Sequence, residues 1–159
     1  MSMPLVRRYH VARIMLFGAS ALFAIAQFLQ FQTLADQTAV STYRLWRELY
    51  QDVALHFSTE PGIMHPSLTL PLTALLAATF VMIAPWLSRL FARFDFPRWS
   101  CAIAMTCVSW LHVWKVLRVM DLPGTTIGPG CWLIGIALWL NTFGTFLIPP
   151  LDIGVRAIE

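Results

Sequence analysis

The chain is 159 residues long, and its composition excludes an ordinary soluble domain. Hydrophobic residues make up 58% of it and charged residues only 12%, which is about half the charged share of a typical globular domain. A soluble fold of this length has too little interior to bury so much apolar surface. The net charge of +3 is no argument for a nucleic acid partner, because basic residues in a membrane protein act first as topology signals.

The apolar residues are concentrated in runs that are long enough to cross a bilayer. A spanning helix needs about 20 predominantly apolar residues, and four such segments occur along the chain. We therefore predict an all-α protein, an integral membrane four-helix transmembrane bundle that forms a single membrane domain over residues 1–159. The predicted spans are residues 12–34, 67–88, 99–119 and 130–149.

A further helix is predicted at residues 40–57, in the first loop between spans. Aromatic and apolar residues recur there at steps of three and four, and charged residues occupy the positions between them. The pattern predicts an amphipathic helix on the outer membrane surface. Its aromatic residues form a candidate docking face for a partner subunit: Tyr43, Trp46, Tyr50 and Phe57.

The distribution of basic residues predicts the orientation, because cytoplasmic loops carry an excess of Lys and Arg. The side that holds the N-terminus has Arg7, Arg8, Arg13, Arg89, Arg93, Arg98 and Arg156, and the other side has Arg44, Arg47, Lys115 and Arg118. We expect the protein in a bacterial inner (cytoplasmic) membrane with both termini in the cytoplasm.

The third predicted span ends in a segment that contains basic and aromatic residues. Lys115 and Arg118 lie in its last turns, next to Trp110 and Trp114. Basic side chains at a helix C-terminus complement the helix dipole and extend to the lipid headgroups, and tryptophan rings prefer the same depth. We interpret these four residues as anchors at the lipid interface.

His112 lies about two turns inside the outer boundary of the same span and has two open interpretations. It either forms a structural hydrogen bond within the bundle or contacts a cofactor, such as haem or a quinone. Haem ligation across a bundle normally needs a second axial ligand, and the other histidines, His10, His56 and His65, lie outside the predicted spans. His112 is the candidate cofactor-binding residue, although no cofactor or metal is predicted for the chain.

Polar and small residues indicate where the helices pack against one another. Asn141 lies near the middle of the fourth span, where an unpaired amide is costly, so we expect it to bond across to Gln27 or Thr106. A stripe of small residues on the second span predicts a close approach to a neighbouring helix: Thr73, Ala74, Ala77 and Ala78.

No motif for hydrolytic, phosphoryl-transfer or metal chemistry occurs in the sequence, and we do not expect an enzyme. The surplus of aromatic residues over the needs of two interface belts favours a non-catalytic accessory subunit of a larger membrane complex. Its partners are then the lipid bilayer and other membrane-protein subunits. Two alternatives stay open: a redox subunit that binds haem or a quinone near His112, and an immunity or exclusion protein against a membrane-active toxin.

Overall fold

The computed structural model describes residues 5–59 and 69–149, and this part of the chain is a bundle of α-helices. Five helices run over Leu5–Ala26 (α1), Thr42–Thr59 (α2), Thr69–Arg93 (α3), Asp95–Met120 (α4) and Pro129–Leu147 (α5). Three short strands run over Gln30–Thr33 (β1), Ala39–Ser41 (β2) and Thr126–Ile127 (β3). The predicted all-α class, with four long helices and one extra helix, is confirmed.

Four of the described helices are long and apolar enough to cross a membrane. The segments with this property are Leu5–Ala26, Leu72–Arg93, Pro97–Met120 and Pro129–Leu147. Large apolar side chains cover their outer surfaces, and Ile14, Leu76 and Ile103 are each more than half exposed. Such a surface is stable in lipid and unstable in water, so the chain has the design of an integral membrane protein.

The first span differs in its bounds from the predicted segment 12–34. Helix α1 begins at Leu5 and ends at Ala26, and the apolar residues that follow form a turn and then β1. The N–H groups of Thr42 and Tyr43 donate to the carbonyl oxygens of Leu29 and Gln27, at 3.0 and 3.1 Å. Backbone groups beyond α1 are therefore paired with the start of α2, and no further helical turn is needed to satisfy them.

A small antiparallel sheet with the strand order β2-β1-β3 lies at one end of the bundle, where α1 and α4 end and α5 begins. The turn between β1 and β2 is held by Asp36, whose Oδ1 accepts a 2.9 Å hydrogen bond from the Thr38 N–H. That bond lowers the pKa of the Asp36 carboxyl below its ordinary value. We call this end of the molecule, which also carries α2, the sheet end.

Helices α1 and α5 approach each other closely because Gly144 has no side chain. A Cβ atom at Gly144 would lie 3.0 Å from the Leu16 side chain and 3.2 Å from the Ala12 carbonyl oxygen. Helix α3 is joined to α1 by a hydrogen bond from the Ser20 hydroxyl to the Val81 carbonyl oxygen, at 2.8 Å. These contacts hold α1 close to both α5 and α3.

At the end opposite the sheet, one of the basic residues has a structural role. Arg98 is buried and its Nη1 donates to the Ile148 carbonyl oxygen at 2.7 Å. The carbonyl groups at the end of a helix lack partners within the helix, and a positive charge there complements the helix dipole. Arg98 therefore stabilises the end of α5 in addition to contributing to the charge of this side.

Candidate functional site

A cavity of about 330 Å³ lies beneath α2 at the sheet end of the bundle. Its wall is mostly apolar and includes Phe23 of α1, Leu45 of α2, Val108 of α4 and Ile134 of α5. The lining residues that carry polar groups are Trp46, Thr73, His112, Trp114 and Lys115. A largely apolar cavity with a few converging polar groups is the usual form of a small-molecule site.

The cavity exists because one helix contributes only short side chains to this region. Thr73, Ala74, Ala77 and Ala78 of α3 form part of its wall. The sequence predicted that this stripe brings α3 close to a neighbour; Ala77 is buried in the hydrophobic core, whereas Thr73 is exposed and Ala74 is partly exposed. At the sheet end the short side chains leave space instead.

His112 is oriented by a hydrogen bond to the first turn of α5. Its Nε2 lies 3.1 Å from the Cys131 carbonyl oxygen. Because a carbonyl oxygen only accepts, Nε2 is the donor, and a neutral ring then has its lone pair on Nδ1. Gly135 makes this placement possible, since a Cβ atom there would lie 3.3 Å from the imidazole ring.

The four residues that we interpreted as interface anchors occupy two different positions. Lys115 and Trp114 lie in the wall of the cavity and are exposed at its rim. Arg118 lies outside the cavity with its guanidinium 5.4 Å from the centre of the Trp114 ring, and Trp110 is exposed on the outer surface of α4. The structure thus brings Lys115 together with His112 and leaves Arg118 and Trp110 on the surface.

The predicted aromatic face of α2 is divided between the inside and the outside of the protein. Trp46 packs on Phe23, with ring centroids 5.9 Å apart, whereas Tyr43 and Tyr50 are each 64% exposed. Phe57 belongs to α2, but its side chain lies outside the described part of the structure. The Trp46 Nε1–H is buried and has no hydrogen-bond partner among the described residues. The sequence marked Trp46 as a docking residue and gave no sign of this unpaired donor.

The expected hydrogen bond from Asn141 to Gln27 or Thr106 does not form. The Gln27 Nε2 donates to the Phe23 carbonyl oxygen of its own helix at 3.0 Å, and the Thr106 hydroxyl donates within α4 to the Ala102 carbonyl oxygen. Asn141 is fully buried, and within the described ranges neither its Oδ1 nor its Nδ2 has a partner.

The remaining histidines do not form a ligand set with His112 in the described part of the chain. His10 lies in α1 near the end of the bundle away from the cavity, and His56 lies in α2 but does not line the cavity. His65 lies outside the described residues. Residues 5–59 and 69–149 contain no group of three or more His, Cys, Asp or Glu side chains placed to hold a metal ion.

In comparisons with known proteins, the chain matches no family model, no curated protein and no solved structure. The function is therefore argued from the side chains themselves. They provide an apolar cavity with hydrogen-bond donors and a separate exposed face on α2.

Proposed function

We propose that the protein is a non-catalytic accessory subunit of a larger membrane assembly in the bacterial inner membrane. The observation that carries this proposal is the outer face of α2. Tyr43 and Tyr50 lie seven residues apart, about two helical turns, and each is 64% exposed. The opposite face of the same helix is already used to attach α2 to the bundle.

The attachment of α2 is firm enough to fix the direction of its outer face. Thr42 is fully buried, and its hydroxyl and its N–H both bond to the Leu29 carbonyl oxygen. Val53 is 8% exposed, and Trp46 packs on Phe23 of α1. The two tyrosines therefore face away from the bundle along a helix that is held along its length.

The composition of this outer face favours a protein partner over a lipid surface. Glu48 is half exposed and pairs with Arg44 at 2.8 Å, and Asp52 is exposed two residues beyond Tyr50. The exposed Arg44 and Arg47 balance these two acids, so the face has no excess of positive charge to attract it to anionic headgroups, and tyrosine is enriched at the energetic centres of protein interfaces. A mixed charged and tyrosine-bearing face is thus typical of protein docking.

The charges at the two ends of the bundle support a cytoplasmic position for the end opposite the sheet. At the sheet end, Asp36, Glu48, Asp52 and Asp121 balance Arg44, Arg47, Lys115 and Arg118, whereas the other end has an excess of basic residues that includes Arg7, Arg8, Arg89 and Arg93. The positive-inside rule then places the sheet end and α2 outside. We propose that α2 docks a second subunit at that outer surface.

Site-specific crosslinking tests this proposal directly. A photoreactive phenylalanine analogue is introduced at Tyr50 in cells, and at Ile14, which is 70% exposed on the apolar surface of α1, as the matched control. We expect one discrete protein adduct from position 50 and a diffuse or absent adduct from position 14. A monodisperse monomer after lipid-preserving extraction, with no adduct at either position, would contradict the proposal.

The redox alternative is supported by the position of His112 in the cavity wall. Because Nε2 donates to Cys131, Nδ1 with its lone pair is the atom of the neutral ring that is left to coordinate haem iron or to accept a hydrogen bond from a quinol hydroxyl. Purified protein is tested for a Soret band and for co-extracted quinone. Absence of both removes the alternative, and retention of a signal in His112→Ala removes the assignment to this residue.

A further inference from the structure

We propose that the cavity beneath α2 binds an acyl-chain amphiphile with an anionic oxygen headgroup, which is held by the Trp46 indole N–H and the Lys115 ammonium. The proposal is independent of the accessory role, because it concerns the inner side of α2 and not its outer face.

The shape of the cavity suits a ligand that arrives from the bilayer. Its inner wall is formed by buried residues such as Phe23 and Ile134, at 6% and 4% exposure. Its rim is formed by the exposed residues Thr73 of α3 and Leu111 and Trp114 of α4. The opening therefore lies between α3 and α4, on the apolar surface of two candidate spans, and an acyl chain enters without crossing water.

The polar atoms of the cavity determine the chemistry of the headgroup. An indole N–H only donates, and that of Trp46 is buried without a partner among the described residues. The His112 Nε2 already donates to Cys131. A buried donor that lacks an acceptor is unfavourable, so the matching ligand atom is an acceptor oxygen.

Lys115 adds a positive charge to this set of donors. It lines the cavity, and no acidic side chain does so in the described part of the chain. An ammonium group donates three hydrogen bonds and accepts none, and bonds between charged partners are about twice as strong as neutral ones. The headgroup that fits is therefore a carboxylate or a phosphate ester, and a neutral quinone leaves the Lys115 charge unpaired.

A free fatty acid and an anionic phospholipid share this chemistry, and the experiment separates the two sources. The lipids that co-purify with the protein in mild detergent are identified by native mass spectrometry. Palmitate, palmitate methyl ester and phosphatidylglycerol are then added to delipidated protein, and the dissociation constant of each is measured. We expect one ligand per chain, and binding of the acid roughly tenfold tighter than binding of its ester, the ratio for about 1.4 kcal/mol.

Four substitutions connect the binding to the named groups. Lys115→Gln is expected to weaken palmitate binding roughly tenfold and to leave the ester unchanged. Trp46→Phe is expected to weaken binding of the ester about fivefold, as for a lost neutral hydrogen bond, and binding of the acid by more. Arg118→Gln and Trp110→Phe are the matched controls at the surface, and we expect neither to change binding.

A filled cavity provides the final test. Ala74→Leu places a larger side chain in the wall, and we expect it to abolish binding of acid and ester; Ala78→Leu serves if the first variant does not fold, as judged by gel filtration. Equal binding of acid and ester in the native chain overturns the proposal, as does unchanged binding in the folded filled variant. Tighter binding of a quinone than of palmitate, insensitive to Lys115→Gln, also overturns it.

Discussion

Asn141 illustrates how a single residue in this bundle departs from the packing rules around it. Its side chain is fully buried in α5, and in the described ranges neither polar atom of the amide has a partner. An unsatisfied buried polar group costs about 1–3 kcal/mol. Neighbouring hydroxyls avoid this cost, since Thr142 and Thr145 donate to carbonyl oxygens one turn earlier in the same helix.

We therefore expect Asn141→Leu to stabilise the protein by about 1–2 kcal/mol, because leucine has the same branched side-chain skeleton and needs no hydrogen-bond partner. Thermal unfolding in detergent measures the change. Thr142→Val is the matched control, and we expect it to lower stability slightly because its hydroxyl contacts Ser109 at 3.3 Å. A loss of stability in Asn141→Leu would contradict this expectation.

Among the described residues other than glycine, Gln37 is the one whose backbone is left-handed, with a φ of 67°. It ends the turn between β1 and β2, a position that favours glycine because a Cβ atom there costs about 1–2 kcal/mol. We expect Gln37→Gly to stabilise the hairpin by about 1 kcal/mol and Gln37→Val to weaken it. Hydrogen exchange of the β1 amides measures both, and equal exchange in the two variants would contradict the assignment.

At the scale of elements, the start of α5 depends on close contact with β1. The Gly128 N–H donates to the Phe31 carbonyl oxygen at 2.8 Å, and a Cβ atom at Gly128 would lie 2.3 Å from the Gln30 carbonyl oxygen. Neither backbone can yield without breaking the strand pairing. The sheet and α5 are thus joined through a position that excludes any side chain.

We expect Gly128→Ala to destabilise the protein by at least about 2 kcal/mol, in the range for overpacked sites. Gly18→Ala is the matched control, because a Cβ atom at Gly18 meets nothing within 4 Å. That change is expected to stabilise α1 by up to about 1 kcal/mol through helix propensity. Denaturation of both variants in the same detergent measures the difference, and a smaller loss at position 128 than at position 18 would refute the close approach.

The helices could be predicted from the sequence because hydropathy and helical period are local properties. The strands could not, since the apolar residues around Phe31 read equally well as the end of a helix, and their pairing with residues 126–127 is distant in sequence. The cavity also escaped prediction. A stripe of alanines predicts close packing, and only the positions of the other helices show that Ala74 and Ala78 border a space.

The same limit explains the difference between Lys115 and Arg118. Both occupy the last turns of a candidate span and fit the pattern of an interface anchor. Their positions relative to α2 and α3 depend on how the helices pack, and the helical period of α4 does not predict that packing. The structure places Lys115 in the cavity wall and Arg118 against Trp114.

At the scale of the whole molecule, an even number of candidate spans brings the start of α1 and the end of α5 to the same side. The excess of basic residues at the end opposite the sheet then predicts that this end faces the cytoplasm. Single-cysteine labelling distinguishes the two orientations. Cys101, Cys107 and Cys131 are first replaced by serine or alanine, since Cys107 is exposed.

Asp52→Cys marks the outer face of α2, and Phe94→Cys marks the break between α3 and α4, where Phe94 is 49% exposed. A membrane-impermeant maleimide added to intact spheroplasts is expected to label position 52 and to reach position 94 only after the membrane is permeabilised. The physical reason is that arginines flank position 94, and moving a positive charge outward across the membrane costs about 2.3 kcal/mol for each 100 mV of membrane potential. Labelling of position 94 in intact spheroplasts, with position 52 protected, would reverse the orientation and place the tyrosine face of α2 in the cytoplasm.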